Sequence, residues 1–102
     1  MDLSTPDFDD LSRVYADGAG LRHCSLKSKN NKFTVLVAVK HDGMNLAYAS
    51  PHGCDDLDIV MVAVSQNGLC LRFASYGLRN NKEVVLAAVS QNGMSIRFAN
   101  FH

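Results

Sequence analysis

The apolar and polar positions of this chain return at a fixed interval. VAVSQNGLCLRFAS at residues 62–75 lies over AAVSQNGMSIRFAN at 87–100 with a shift of 25, and both lie over VAVKHDGMNLAYAS at 37–50. Self-similarity at such a period marks a repeat architecture, in which each unit buries its apolar face against its neighbours. Asn31-Lys32, Asp56-Leu57 and Asn81-Lys82 open three copies in the same register. The same shift carried upstream reaches RVYADGAGLRHCS at 13–25, where Gly18, Leu21 and Ser25 keep the pattern. The 102 residues therefore read as one domain of about four units: 6–30, 31–55, 56–80 and 81–102. The first is degenerate, and the last lacks the connecting loop of the others.

Two secondary structures compete for the repeated segment. Asn92-Gly93 has the dipeptide of a tight β-hairpin turn, and Met94, Ile96 and Phe98 alternate with Ser95 and Arg97. Helix is favoured by three features. Asn81 before Lys82-Glu83 is an N-cap with acid in the first turn. VVLAAV contains two alanines, which are strong helix formers and depleted in strands. Asn-Gly also suits a helix end, with glycine in the left-handed conformation just past the cap. The expected unit is helix-loop-helix, with a first helix over 32–41, 57–66 and 82–91 and a second over 44–50, 69–75 and 94–100. The fold class is all-α, a small α-solenoid of stacked units. Its expected core rows are Leu11, Leu36, Met61 and Leu86; Val14, Val39, Val64 and Val89; and Leu21, Leu46, Leu71 and Ile96. Ala38, Ala63 and Ala88 let helices approach closely, and His23, Tyr48, Phe73 and Phe98 form an expected aromatic row. Helices this short do not stand alone in water, so stacking has to supply their stability.

NKEVVLAAVSQNGMSIRFAN and DLDIVMVAVSQNGLCLRFAS resemble the repeats of the family called domain of unknown function 4116. Those repeats read roughly (D/N)KEVVLAAVxxNGxxLxxAS, followed by a short loop of the kind seen here as Leu78-Arg79-Asn80-Asn81. The likeness is close over 31–102 and weak over 1–30, where Asp9-Asp10 replace the apolar pair and Tyr15-Ala16 replace Ser-Gln. The resemblance implies helical repeats and carries no catalytic residues with it.

Composition narrows the function classes. With 47% hydrophobic and 20% charged residues the chain is neither a disordered tail nor a fibre. Ten basic residues balance ten acidic ones, without the basic excess of a nucleic-acid binder. The balance hides blocks: residues 1–20 hold five Asp against Arg13, and residues 21–40 hold five Lys or Arg and no acid. Lys27, Lys29 and Lys32 have no interleaved stacking aromatics, so no nucleic-acid partner is expected. MDLSTPDFDD lacks the basic start and apolar run of a secretory signal, and no stretch approaches the roughly 18 apolar residues of a membrane span. Three cysteines form an odd set without CxxC spacing, which favours a reducing, cytoplasmic setting.

Catalytic and metal-binding patterns are weak. Pro51-His52-Gly53-Cys54-Asp55-Asp56 collects ligand types, yet His-x-Cys alone does not make a metal site, and Asp55 or Asp56 is accounted for as a helix cap. Cys24 replaces Ala49, Ala74 and Ala99 and reads as a small core residue. Cys70 replaces Asn45 and Ser95, and Cys54 replaces Lys29 and Arg79, so both are expected to be partly exposed. No Ser-His-Asp spacing, phosphate loop or carboxylate pair appears. No enzyme, metal, cofactor or small-molecule substrate is expected.

Two binding surfaces stand out. Arg22, Arg72 and Arg97 share one position of the second helix, where the second unit has Ala47. They read either as a row of guanidinium forks for an anionic partner or, more simply, as helix-end cations whose stems cover apolar surface. Gln66 and Gln91 belong to a polar row able to bind peptide backbone, with soluble helix ends as the plainer account. At the chain's two ends the units differ. Asp7, Asp9, Asp10, Ser12 and Arg13 give the first unit the polar character of a cap, whereas the fourth keeps Met94, Ile96 and Phe98 and then Phe101. An uncapped apolar face calls for a protein partner or a second copy, unless the chain is a piece of a longer array or Phe101 folds back as a lid. The expected role is a non-catalytic interaction or assembly module, with a small regulatory or effector-like protein acting on a partner as the alternative.

Overall fold

Each main helix starts at a side-chain cap. In the computed structural model, which describes residues 6–17 and 20–100, Asn31, Asp56 and Asn81 accept hydrogen bonds from the amides of Thr34 (3.0 Å), Ile59 (3.1 Å) and Val84 (3.2 Å). Such a cap contributes about 1 kcal/mol by satisfying a first-turn N–H that has no helical partner. The helices that follow are α3 (Lys32–His41), α5 (Leu57–Gln66) and α6 (Lys82–Gln91), over the expected ranges. They are preceded by α1 (Phe8–Asp17) and accompanied by two short helices, α2 (Leu26–Lys29) and α4 (Pro51–Cys54). The fold is all-helical, with no strand among the described residues.

The second half of each unit departs from expectation. Gly43–Tyr48, Gly68–Phe73 and Gly93–Phe98 are 3₁₀ segments, where α-helices were expected. Nor does Asn-Gly adopt a left-handed cap. Asp42, Asn67 and Asn92 are extended, with φ of −155°, −146° and −152°. Each donates its amide to the last turn of the α-helix, and each side chain accepts from the amide two residues on, in Met44, Leu69 and Met94 (2.9, 3.1 and 3.0 Å). One residue thus ends one helix and caps the next. The glycine after it serves close approach instead of a special φ. A Cβ on Gly43 would lie 2.8 Å from the Ala63 carbonyl oxygen, and one on Gly68 would lie 2.2 Å from that of Ala88.

Stacking follows chain order: α1 packs on α3, α3 on α5 and α5 on α6. Val14, Val39 and Val64, Ala38, Ala63 and Ala88, and Leu21, Leu46 and Leu71 are fully buried along the stack, which measures 39 × 27 × 17 Å. Successive units are also tied by a repeated main-chain bond across the boundary. Ser50 N–H donates to the Lys29 carbonyl, Ser75 N–H to that of Cys54 and Asn100 N–H to that of Arg79, at 2.8–2.9 Å. In the first unit the equivalent Ser25 N–H donates to the Asp10 carboxylate instead, at 2.9 Å. Asn45 adds a buried bridge, its Nδ2 donating to the Ala38 carbonyl and its Oδ1 accepting from Leu21 N–H.

Three expected environments are corrected. His23 is exposed and not part of an aromatic core row, because its three-residue 3₁₀ segment buries only Leu21. Tyr48, of the same expected row, is also exposed, and Cys70, expected to be partly exposed, is buried against Gly43 of the preceding unit, as Ser95 is against Gly68.

Candidate interaction surface

The three arginines of the expected row are exposed, each near the end of its 3₁₀ segment. Arg72 holds its guanidinium 4.9 Å from the centre of the Phe73 ring, a cation–π contact. The glutamine row does bind peptide backbone, but that of the neighbouring unit. Gln66 Nε2 donates to the Lys40 carbonyl and Gln91 Oε1 accepts from Gly68 N–H, both at 2.5 Å. These amides fasten one unit to the previous one.

The last unit presents a different surface. Leu21, Leu46 and Leu71 are 0% exposed, whereas Ile96, at the same position, is 49% exposed. Leu86 and Met94 are exposed beside it, Phe98 is partly buried against the core, and Phe101 lies outside the described residues. Asn80, Lys82, Val85, Leu86, Val89 and Ile96 line a hollow of about 310 Å³. A Cβ on Gly93 would meet nothing within 4 Å, in contrast to Gly43 and Gly68. Among the described residues, the surface that α5 and α6 cover in the second and third units is thus uncovered in the fourth.

Electrostatics distinguish the same boundary. Lys32 Nζ lies 2.9 Å from Asp58 Oδ2 and 3.2 Å from Asp56 Oδ2, both on the following unit, and these carboxylates raise its pKa. Lys82 occupies the same position in the fourth unit and has no carboxylate within 4.0 Å among the described residues. Neither Lys82 nor Leu86 stood out in the sequence, because both fit the repeat; what marks them is their exposure.

The cysteines are placed as small packing groups. Burial pushes Cys70 up to about 11 and also raises Cys54 and Cys24. Thiols held protonated in this way are poor nucleophiles and poor metal ligands at neutral pH. Among the described residues no three His, Cys, Asp or Glu side chains gather where they could hold a metal ion, and no helix is long and apolar enough to cross a membrane.

Two overlapping stretches, residues 31–79 and 56–102, match the family model described as Domain of unknown function (DUF4116). Their overlap is offset by one unit, as the 25-residue shift requires. No curated protein and no solved structure matches the chain.

Proposed function

We propose, starting from the fact that this chain belongs to the family of Domain of unknown function (DUF4116), that it is a short non-catalytic α-solenoid that binds another protein through the uncovered face of its last unit. One observation carries the reading: Ile96 is 49% exposed at a position where Leu21, Leu46 and Leu71 are 0% exposed. An apolar surface of this kind, shaped to receive a helix and left open, is the usual mark of an interaction site. Leu86, Val89 and Ile96 form its apolar centre, with Met94 exposed on the same 3₁₀ segment. The arginines at 22, 72 and 97 lie along a separate row and are assigned no role in this contact.

Light scattering over a dilution series tests the proposal. An uncovered apolar face of this kind should drive weak self-association, so the measured mass should rise with concentration. Ile96→Asp should hold the chain monomeric at every concentration without changing its melting temperature. A wild type that stays monomeric throughout, and binds an apolar probe dye no better than Ile96→Asp, would sink the reading.

A further inference from the structure

We infer that the hollow on the fourth unit seats a partner's α-helix whose first turn carries Asp-x-Asp followed directly by a β-branched residue, docked as α5 docks on α3. The inference rests on the interaction-surface reading above and names its occupant. The same seat occurs inside the chain in filled form. Asn30, Lys32 and Val35 line it, Asp56 and Ile59 of the next unit close it, and only about 70 Å³ remains. Asn80, Lys82 and Val85 stand 50 residues further on and line the open hollow of about 310 Å³.

The filled seat specifies its occupant position by position. Lys32 draws carboxylates from Asp56 and Asp58, so Lys82, with no carboxylate within 4.0 Å among the described residues, calls for two acids spaced two residues apart. Ile59, which closes the filled seat, is 1% exposed, and this sets a β-branched residue directly after the second acid. Ala63 is fully buried, and its carbonyl runs so close to Gly43 that a Cβ there would lie 2.8 Å away. Gly93 offers the same room for a small residue four positions after the β-branched one. This is helix-in-groove recognition with charge complementarity at one end.

A second copy stacked end to end does not meet these requirements. At the positions of Asp58 and Ile59 its α1 carries Phe8 and Asp9. The exposed Asp9 carboxylate would be laid on Ile96 and Leu86, where burial of an unpaired charge is costly. The acid and β-branched pattern that α5 shows and α1 lacks therefore favours a helix of a protein partner over an end-to-end second copy.

The test uses the full chain and a fluorescein-labelled, end-capped peptide DLDIVMVAVSQ, the sequence of Asp56 and α5. Titration by fluorescence anisotropy should show binding to the wild type and none to Ile96→Asp. Lys82→Glu should weaken binding about fivefold to tenfold, the scale of turning an exposed ion pair into a repulsion. A peptide with Asp58→Lys, which keeps the Asp56 cap, should recover part of that loss on Lys82→Glu and bind the wild type less well. The peptide should also suppress self-association, because both use one face. Both protein variants replace exposed residues, and circular dichroism melts check that they fold. Equal binding to wild type and Lys82→Glu overturns the proposed register, and no binding up to about 1 mM overturns the helix itself. If the peptide fails while Ile96→Asp still abolishes self-association, the end face remains an interaction surface whose occupant is a second copy. If self-association is also absent, the functional reading falls with the inference.

Discussion

At the position where later units carry Val35, Val60 and Val85, the first unit buries the carboxylate of Asp10, 5% exposed. It accepts the Ser28 hydroxyl at 2.6 Å and the Ser25 amide at 2.9 Å, and it pairs with the Arg13 guanidinium. These donors, the Ser28 hydroxyl foremost, outweigh burial and hold its pKa at about 2, below the ordinary 3.8. A depressed carboxylate stabilises the fold above its unfolded pKa and loses that contribution as pH falls through the folded one. Wild-type stability should therefore fall by about 1–2 kcal/mol between pH 4 and pH 2 on account of Asp10 alone, a value discounted because the group sits at the edge of the stack. Asp10→Asn should flatten that part of the pH profile in urea titrations; an unchanged profile would remove Asp10 from this account. The sequence showed an acid displacing an apolar residue and suggested a polar cap. It did not show the burial, because the partners lie 15 and 18 residues away and only the fold brings them in.

The main helices were legible to the residue because their caps and apolar runs agree, and short-range chemistry suffices to place both. The 3₁₀ segments were misread as α, though a signal was present. Gly43-Leu46-Ala49, Gly68-Leu71-Ala74 and Gly93-Ile96-Ala99 recur at every third residue, the period at which 3₁₀ side chains stack above one another. Gly43 and Gly68 begin their runs where the next unit's helix passes over them, and a contact 20 residues away leaves no local trace. That reading separates two otherwise identical substitutions. Gly68→Ala forces a Cβ to within 2.2 Å of the Ala88 carbonyl and 2.6 Å of Ser95 Oγ, and should destabilise the chain by about 2 kcal/mol or more. Gly93→Ala meets open space and should be neutral or stabilising by up to about 1 kcal/mol. Urea midpoints of the two variants decide it; equal losses would mean that the glycines serve the backbone and not the interface.

Across the whole molecule, burial is set by whether a unit is covered by a following one. Leu46 and Leu71 lie under α5 and α6, whereas nothing among the described residues covers Ile96 to the same degree. Local opening should follow that order, since segments with less buried apolar surface open at lower cost. Amides of Gly93–Phe98 should exchange with solvent about tenfold or more faster than those of Gly68–Phe73, measured residue by residue, and the Lys82-directed peptide should narrow the gap. Uniform protection across both segments would contradict the order. The open face could be read from the apolar pattern of the last unit, but its specificity could not, because the ion pairs of Lys32 that define it join residues 24 and 26 apart. Asp10, finally, shows that a side chain can answer for a main-chain carbonyl of an adjoining unit. Its serine partner at Ser25 has equivalents in Ser50 and Ser75, while Ser28 corresponds to Gly53 and Leu78. Placing Asp at Val60 with Ser at Leu78 would give a third unit the means to begin an array. Stack length then becomes something a protein engineer can trim from the front, one unit at a time, with two substitutions per cut.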